Sequence, residues 1–274
     1  MTWWQRLPEK MNPEIFSLGP FQLRWYGMMY VMAFSIVFVL VMYRYRVEGV
    51  LINKKATQDW FGLAILGVLL GGRLGYVLFY ESDMIFTNPL GILLPFELKD
   101  GLRYTGFAGM SFHGGVIGVI LLSLFHCQRH KINFWDMADL VVPAIPLGYT
   151  FGRLGNFING ELYGRVTQRP WGMYFPTDMA HLRHPSQLYE AFFEGIVLFI
   201  ILWGLRRQPI LSRLFLPLYL IGYGVARFFI EFFREPDAHL GAVLGPLSMG
   251  QLLCIAMVLA GAALIPIVKS AASE

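Results

Sequence analysis

Charge is scarce in this chain: Asp, Glu, Lys and Arg make up 15% of its 274 residues, against about 25% in an ordinary soluble domain. Hydrophobic residues reach 56% and aromatic residues 16%, with a mean hydropathy of +0.53. That balance argues against a soluble domain and for an all-α polytopic membrane protein. Cysteine is almost absent. Cys127 and Cys254 lie far apart in apolar helical contexts, without the spacing of a metal or redox motif. Both read as small buried hydrophobes, so any thiol chemistry would use a thiol brought by a substrate. HExxH, a zinc-type His/carboxylate cluster, a Walker A loop and a GxSxG elbow are all missing. A metal, a cofactor or a covalent serine is therefore not expected. The formal charge is +4, but its basic residues are scattered through short loops and form no helix face, so no nucleic-acid partner is expected.

The N-terminus, MTWWQRLPEKMNPEIFSLGPF, has no compact apolar region with a small-residue cleavage site. Trp3 and Trp4 suit an interfacial anchor on the bilayer. Apolar runs long enough to cross, at about 20 residues each, fall at 23–43, 58–80, 110–127, 136–152, 187–205, 213–233 and 246–267. The expected architecture is thus about seven transmembrane helices in a single membrane domain spanning 1–274. The run at 136–152 carries Asp139, Pro143 and Pro146, which predicts a kinked or broken helix covered by its neighbours. Basic clusters at Arg44/Arg46/Lys54/Lys55, Arg129/Lys131, Arg206/Arg207/Arg213 and Lys269 fall on one side. The positive-inside rule makes that side cytoplasmic, leaving the N-terminus outside and the C-terminus inside. Outside lie an arm at 81–109, containing the broken apolar stretch NPLGILLPF, and a polar segment at 166–186 that reads as a small cap. Gly67, Gly71 and Gly75, with Gly114 and Gly118, have helix-packing spacing.

Ionisable residues at membrane depth are costly and usually face an interior or a cavity. In GRLGNFINGELYGR (152–165), Arg153 and Asn156 share a face if the backbone is helical. A guanidinium fork suits phosphate, while Glu161 is placed to orient an arginine or handle a proton. Interfacial arginines snorkelling to lipid phosphates fit the composition equally well. In SFHGGVIG, His113 has the natural pKa range of a general base, although a lone histidine beside an apolar helix is more often structural. In GYGVARFFIEFFREPD, Tyr223, Arg227, Glu231 and Arg234 form a helical stripe, which also fits an ion pair that merely fixes packing. RHPSQLYEAFFEG reads as an N-cap at Ser186 with acids in the first turn. Tyr26, in Arg24–Trp25–Tyr26, reads as aromatic-belt anchoring, and Arg73 in GGRLGY raises the same question.

Together these blocks resemble a known family. GRLGNFINGELYG at 152–164, SFHGGVIG, RHPSQLYEA, RWYGMMY at 24–30 and RFFIEFFREPD are similar, in the same order, to segments of bacterial prolipoprotein diacylglyceryl transferases. The resemblance implies a seven-span inner-membrane enzyme acting at the outer leaflet. Such enzymes transfer the diacylglyceryl group of phosphatidylglycerol to the lipobox cysteine of a prolipoprotein, releasing glycerol-1-phosphate. It carries over His113, Arg153, Asn156, Glu161, Arg227 and Glu231 as catalytic positions. Arg153, Asn156 and Arg227, with Tyr26, Tyr223 and Gly164, are carried over as contacts to phosphatidylglycerol. Two other readings of the residues remain: a transporter for an anionic solute, which predicts repeat symmetry between halves, and a lipid-binding scaffold, which has no need of His113 or Glu161.

Overall fold

The structure, a computed structural model, describes residues 2–18, 21–87, 89–92, 96–97, 103–104, 109–235, 242–244 and 247–270. By backbone proximity the chain forms two compact units, Met1–Glu48 with Ala138–Glu274, and Gly49–Met137.

The second unit is an antiparallel helix pair, α2 (Lys54–Tyr80) and α3 (Phe112–His130). Each starts on a side-chain cap: Asn53 accepts from the Ala56 amide and Ser111 from the Gly114 amide. The glycine spacing meets its packing expectation. A Cβ at Gly71 would overlap the Gly114 carbonyl oxygen, and one at Gly75 would fall 2.8 Å from the Gly114 Cα. Trp60 Nε1 donates to Ser123 Oγ at 2.8 Å across the same pair. Arg73 is occupied with backbone: Nε donates to the Ile92 carbonyl at 3.1 Å and Nη2 to Gly91 at 2.9 Å. It thus holds the first part of the arm against α2. Of NPLGILLPF (88–96), residues 88 and 93–95 lie outside the described chain.

In the first unit, hairpin β1 (Glu14–Leu18) and β2 (Phe21–Arg24) leads into α1, Trp25–Val47. The chain re-enters this unit within α4 (Phe134–Val141), turns through a 3-10 segment at Val142–Ala144, and continues as α5, Ile145–Ile158. The break expected from Pro143 and Pro146 is therefore present. α6 (Ser186–Leu205) contains a π turn at Ala191–Val197; α7 (Phe215–Ile230) and α8 (Met249–Ser270) pack on each other. Asp139 accepts from the Arg213 and Phe215 amides at the start of α7. At the foot of α1, Arg44 Nη1 donates to the Asp139 and Leu140 carbonyls at 2.6 and 2.7 Å. Arg44 and Arg206 also share Glu48, at 2.6 and 2.7 Å.

The segment expected as a cap folds as an antiparallel hairpin, β3 (Met173–Phe175) and β4 (Asp178–Arg183). Met173 and Phe175 are fully buried beside Phe157, Leu7 and Tyr163. Trp4 Nε1 donates to the Trp171 carbonyl at 3.0 Å, which ties the N-terminal turns to this hairpin. Trp3 stays exposed.

Among the described residues, four helices are long and apolar enough to cross a membrane, α1, α2, α6 and α8, and α7 is apolar but shorter. The expected run at 110–127 corresponds to α3 and that at 136–152 to the broken α4–α5. The chain is an α-helical membrane protein.

Candidate functional site

α5 sets Tyr149, Arg153 and Asn156 on one face by their spacing of four and three. Past its end the chain turns sharply, with Gly160 and Leu162 both at positive φ (67° and 60°). A leucine in the left-handed region is strained, and this turn is held from outside. Ser186 Oγ donates to the Leu162 carbonyl at 3.0 Å, and Gln187 Nε2 donates to the Glu161 carbonyl at 2.6 Å. The turn presents the exposed Glu161 carboxylate to Asn156, whose Nδ2 donates to it at 2.8 Å. Asn156 Oδ1 accepts from Arg153 Nη1 at 3.3 Å. Arg153, Asn156 and Glu161 therefore form a connected line from the helix to the surface. Tyr26 lies along α5 beside Gly155, and its hydroxyl bonds Tyr30 at 3.0 Å.

Beyond the turn, the chain is zipped between two other segments. The Gly164 amide donates to the His184 carbonyl at 2.8 Å, and the Arg165 amide to Phe233 at 2.9 Å. A Cβ at Gly164 would overlap the Phe233 carbonyl. Gly164 is thus required for a close backbone approach that ties the signature stretch to the end of α7.

The centre of the arrangement is Glu190, which is fully buried. Arg153 Nε lies 2.7 Å from Glu190 Oε2, Arg227 Nη1 2.8 Å from Oε1, and Arg234 Nη1 3.4 Å from Oε1. Three arginines, one from α5 and two from the stretch around the end of α7, converge on one carboxylate. A second fully buried carboxylate, Glu194, accepts from the Tyr149 hydroxyl and lies 3.7 Å from Arg227. On α7, Arg227 Nη2 is 3.2 Å from Glu231, which also accepts from Ser248 Oγ at 3.3 Å. Tyr223 meets the Tyr149 ring edge-on at 5.6 Å. The expected helical stripe stops short: α7 ends at Ile230, and Arg234 lies beyond it in a β-bridge with Gly164, while Phe229, Phe232 and Phe233 are exposed.

The first unit thus brings together Arg153, Asn156, Glu161, Arg227, Glu231, Tyr223, Tyr26 and Gly164. His113 belongs to the second unit, where it is exposed in the first turn of α3 with its ring 5.8 Å from Phe112. The expectation for RHPSQLYEA needs correction. Ser186 is not an N-cap; α6 starts after Pro185 without a side-chain cap. The acids behind it answer arginines rather than the helix end. Glu190, Glu194 and Tyr149 were missed as site residues, although the four-residue spacing of the two glutamates, inside an apolar run, marks them as buried and partnered.

A family model described as prolipoprotein diacylglyceryl transferase matches residues 13–267. The chain belongs to this family. It is 55% identical to the phosphatidylglycerol–prolipoprotein diacylglyceryl transferase of Chlorobaculum tepidum, over 95% of this chain and 91% of that protein. It is 46% identical to the Bordetella avium enzyme of the same name, over 92% of each chain. The Geobacter sulfurreducens enzyme is 45% identical, over 92% of this chain and 93% of that one. Family membership makes the chain a transferase of lipoprotein maturation. The polar line and the arginine cluster lie in stretches that carry the diacylglyceryl transferase resemblance.

Proposed function

We propose that the chain transfers the diacylglyceryl group of phosphatidylglycerol to the lipobox cysteine thiol of prolipoproteins, as the names of its relatives state for those enzymes in coarser terms. The sulfur, as thiolate, attacks the glycerol carbon bearing the phosphate ester. The S–C bond forms, the C–O bond breaks, and glycerol-1-phosphate leaves with the electron pair and the negative charge. The thiol proton passes to His113 or Glu161. The chain works as one domain in the bacterial inner membrane, with about seven spans, the N-terminus periplasmic and the basic loops cytoplasmic.

One observation carries this reading: Arg153 and Arg227, from different helices, stand close enough for a single two-oxygen anion to bridge them, as Glu190 does at 2.7 and 2.8 Å. A phosphate would meet these two guanidinium groups on edges other than those Glu190 occupies. Charge on the departing phosphate oxygen would then develop against fixed guanidinium groups, where such stabilisation is largest. Glu231 holds Arg227, and Asn156 completes the head-group contacts with Tyr26 and Tyr223. The deciding experiment incubates the purified protein with phosphatidylglycerol and a lipobox peptide and follows peptide mass. A diacylglyceryl addition on the cysteine is expected. An unchanged peptide mass would sink the reading.

A further inference from the structure

Glu190 and Glu194 complete a closed polar ring. Arg153 Nε stands 2.7 Å from Glu190; Glu190 stands 2.8 Å from Arg227; Arg227 stands 3.7 Å from Glu194. Glu194 accepts from the Tyr149 hydroxyl, which in turn accepts from Arg153 Nε at 2.6 Å. Both carboxylates are fully buried, so neither is placed to meet a bulk-solvent substrate, and each contacts an arginine from within the protein. On Arg153, Glu190 and Tyr149 take the Nε side. That turns the Nη end toward Asn156, which accepts from Nη1 at 3.3 Å.

The backbone beneath these carboxylates is unusual. Ala191–Val197 is a π turn, in which the Leu198 amide bonds back to the Phe193 carbonyl. Such turns hold an extra residue and are frequent at functional sites. Here the turn is seated directly on α5. A Cβ at Gly195 would overlap Thr150 Oγ1, and Thr150 Oγ1 itself lies 3.3 Å from the Ala191 carbonyl as donor. Thr150 neighbours Tyr149 in sequence and precedes Arg153 by less than one helical turn. The separation between the carboxylates and their arginine is thus set by one side chain against one missing side chain.

We infer that Glu190 and Glu194 are the positioning residues of Arg153 and Arg227, and that the Gly195–Thr150 contact sets their distance. The inference rests on the diacylglyceryl transfer proposed above. Neither carboxylate touches the reacting atoms. Their effect passes through the arginines, so it belongs to the rate of transfer once lipid is bound.

The test uses the full chain in detergent with phosphatidylglycerol micelles and a lipobox peptide, at a temperature where circular dichroism shows every variant folded. Glu190→Gln keeps the shape and removes the charge. Its kcat is expected to fall about 10²-fold, as misaimed groups do, with a smaller change in the KM for phosphatidylglycerol. Glu190→Asp should recover part of that loss. A purely structural glutamate would leave kcat of the folded Gln variant within about twofold of wild type, and that result overturns the proposal. Gly195→Ala tests the spacing without touching a charge: a tenfold or larger drop in kcat is expected, relieved when Thr150→Ala is added. A double variant no better than Gly195→Ala overturns the spacing role. Should Glu190→Gln fail to fold, the Gly195 and Thr150 pair decides. Failure of the wild-type protein to lipidate the peptide is a separate outcome, which removes the transferase reading and this proposal with it.

Discussion

Arg153 and Arg227 meet the same carboxylate but are held differently beyond it. Arg153 rests over the Tyr149 ring at 4.8 Å and reaches Asn156, whereas Arg227 is flanked by Glu194 and Glu231. Each uses more than one edge of its guanidinium, a geometry that a lysine's point charge does not reproduce. Arg153→Ala and Arg227→Ala should each lower diacylglyceryl transfer by about 10²–10³-fold, and Arg153→Lys should recover little of it. Undiminished rates of peptide lipidation in both alanine variants would remove the phosphate clamp. Gly164 has a different role, since its missing side chain leaves room for the Phe233 carbonyl. Gly164→Ala should therefore cost stability, about 1–3 kcal/mol for an overpacked contact, seen as a lower thermal midpoint of the purified protein. At this scale the sequence displayed most of the site. Residues with strong hydrogen-bonding or charged groups, Arg153, Asn156, Arg227 and Glu231, were legible because such groups are rare in an apolar chain. Glu190 was misread because a glutamate four residues past a serine at a helix start looks the same whether it faces a helix end or a buried arginine.

Among the elements, small-residue spacing and the proline break were readable because their physics is local: the glycines of α2 and α3 meet as their spacing predicts, and Pro143 with Pro146 announces the break between α4 and α5. The caps at Asn53 and Ser111 were not read, and the one expected at Ser186 is not a cap. The π turn was not readable. It depends on where Thr150 of another helix sits, and nothing in AFFEGIV distinguishes seven π residues from about two ordinary α-helical turns. The α2–α3 pair gives a direct test of local legibility: Gly71→Leu would force the helices apart at the Gly114 carbonyl. It should lower resistance of the purified protein to thermal unfolding, while Gly62→Leu, at a position with open space, should not.

The hairpin β3–β4 carries a pH prediction of its own. Hydrogen bonds from His181 and then Arg183 hold the Asp178 carboxyl below the usual carboxylate range. Its folded-state pKa is thus depressed, so its contribution is fully present above the unfolded value of about 4 and is lost as pH falls through the lower folded value. Hydrogen exchange of the hairpin amides, corrected for intrinsic rates, should show constant protection from pH 7 to about 5 and a decline below about 4. Asp178→Asn should show lower protection at neutral pH and no such decline. A wild-type hairpin as well protected below about pH 4 as at pH 7 would refute the assignment.

For the whole molecule, the proposed lipid site predicts that stability depends on the lipid supplied. In the first unit, three arginines and three glutamates at 153, 227, 234, 190, 194 and 231 are tied into one network by contacts among α5, α6 and the end of α7. An anion bound there bridges the same elements and stabilises the folded state over the unfolded one. The gain is RT ln(1 + [L]/Kd), about 2.7 kcal/mol when the ligand stands at 100 times its Kd. Replacing phosphatidylcholine by phosphatidylglycerol in otherwise identical micelles should therefore raise the thermal midpoint of the wild-type protein. An effect of general membrane charge would persist when the two arginines are removed, because the loop lysines and arginines remain. A head-group site would not. The Arg153→Ala/Arg227→Ala protein should accordingly melt at the same temperature in both micelles, and an undiminished shift in that variant would place the lipid contact elsewhere in the chain.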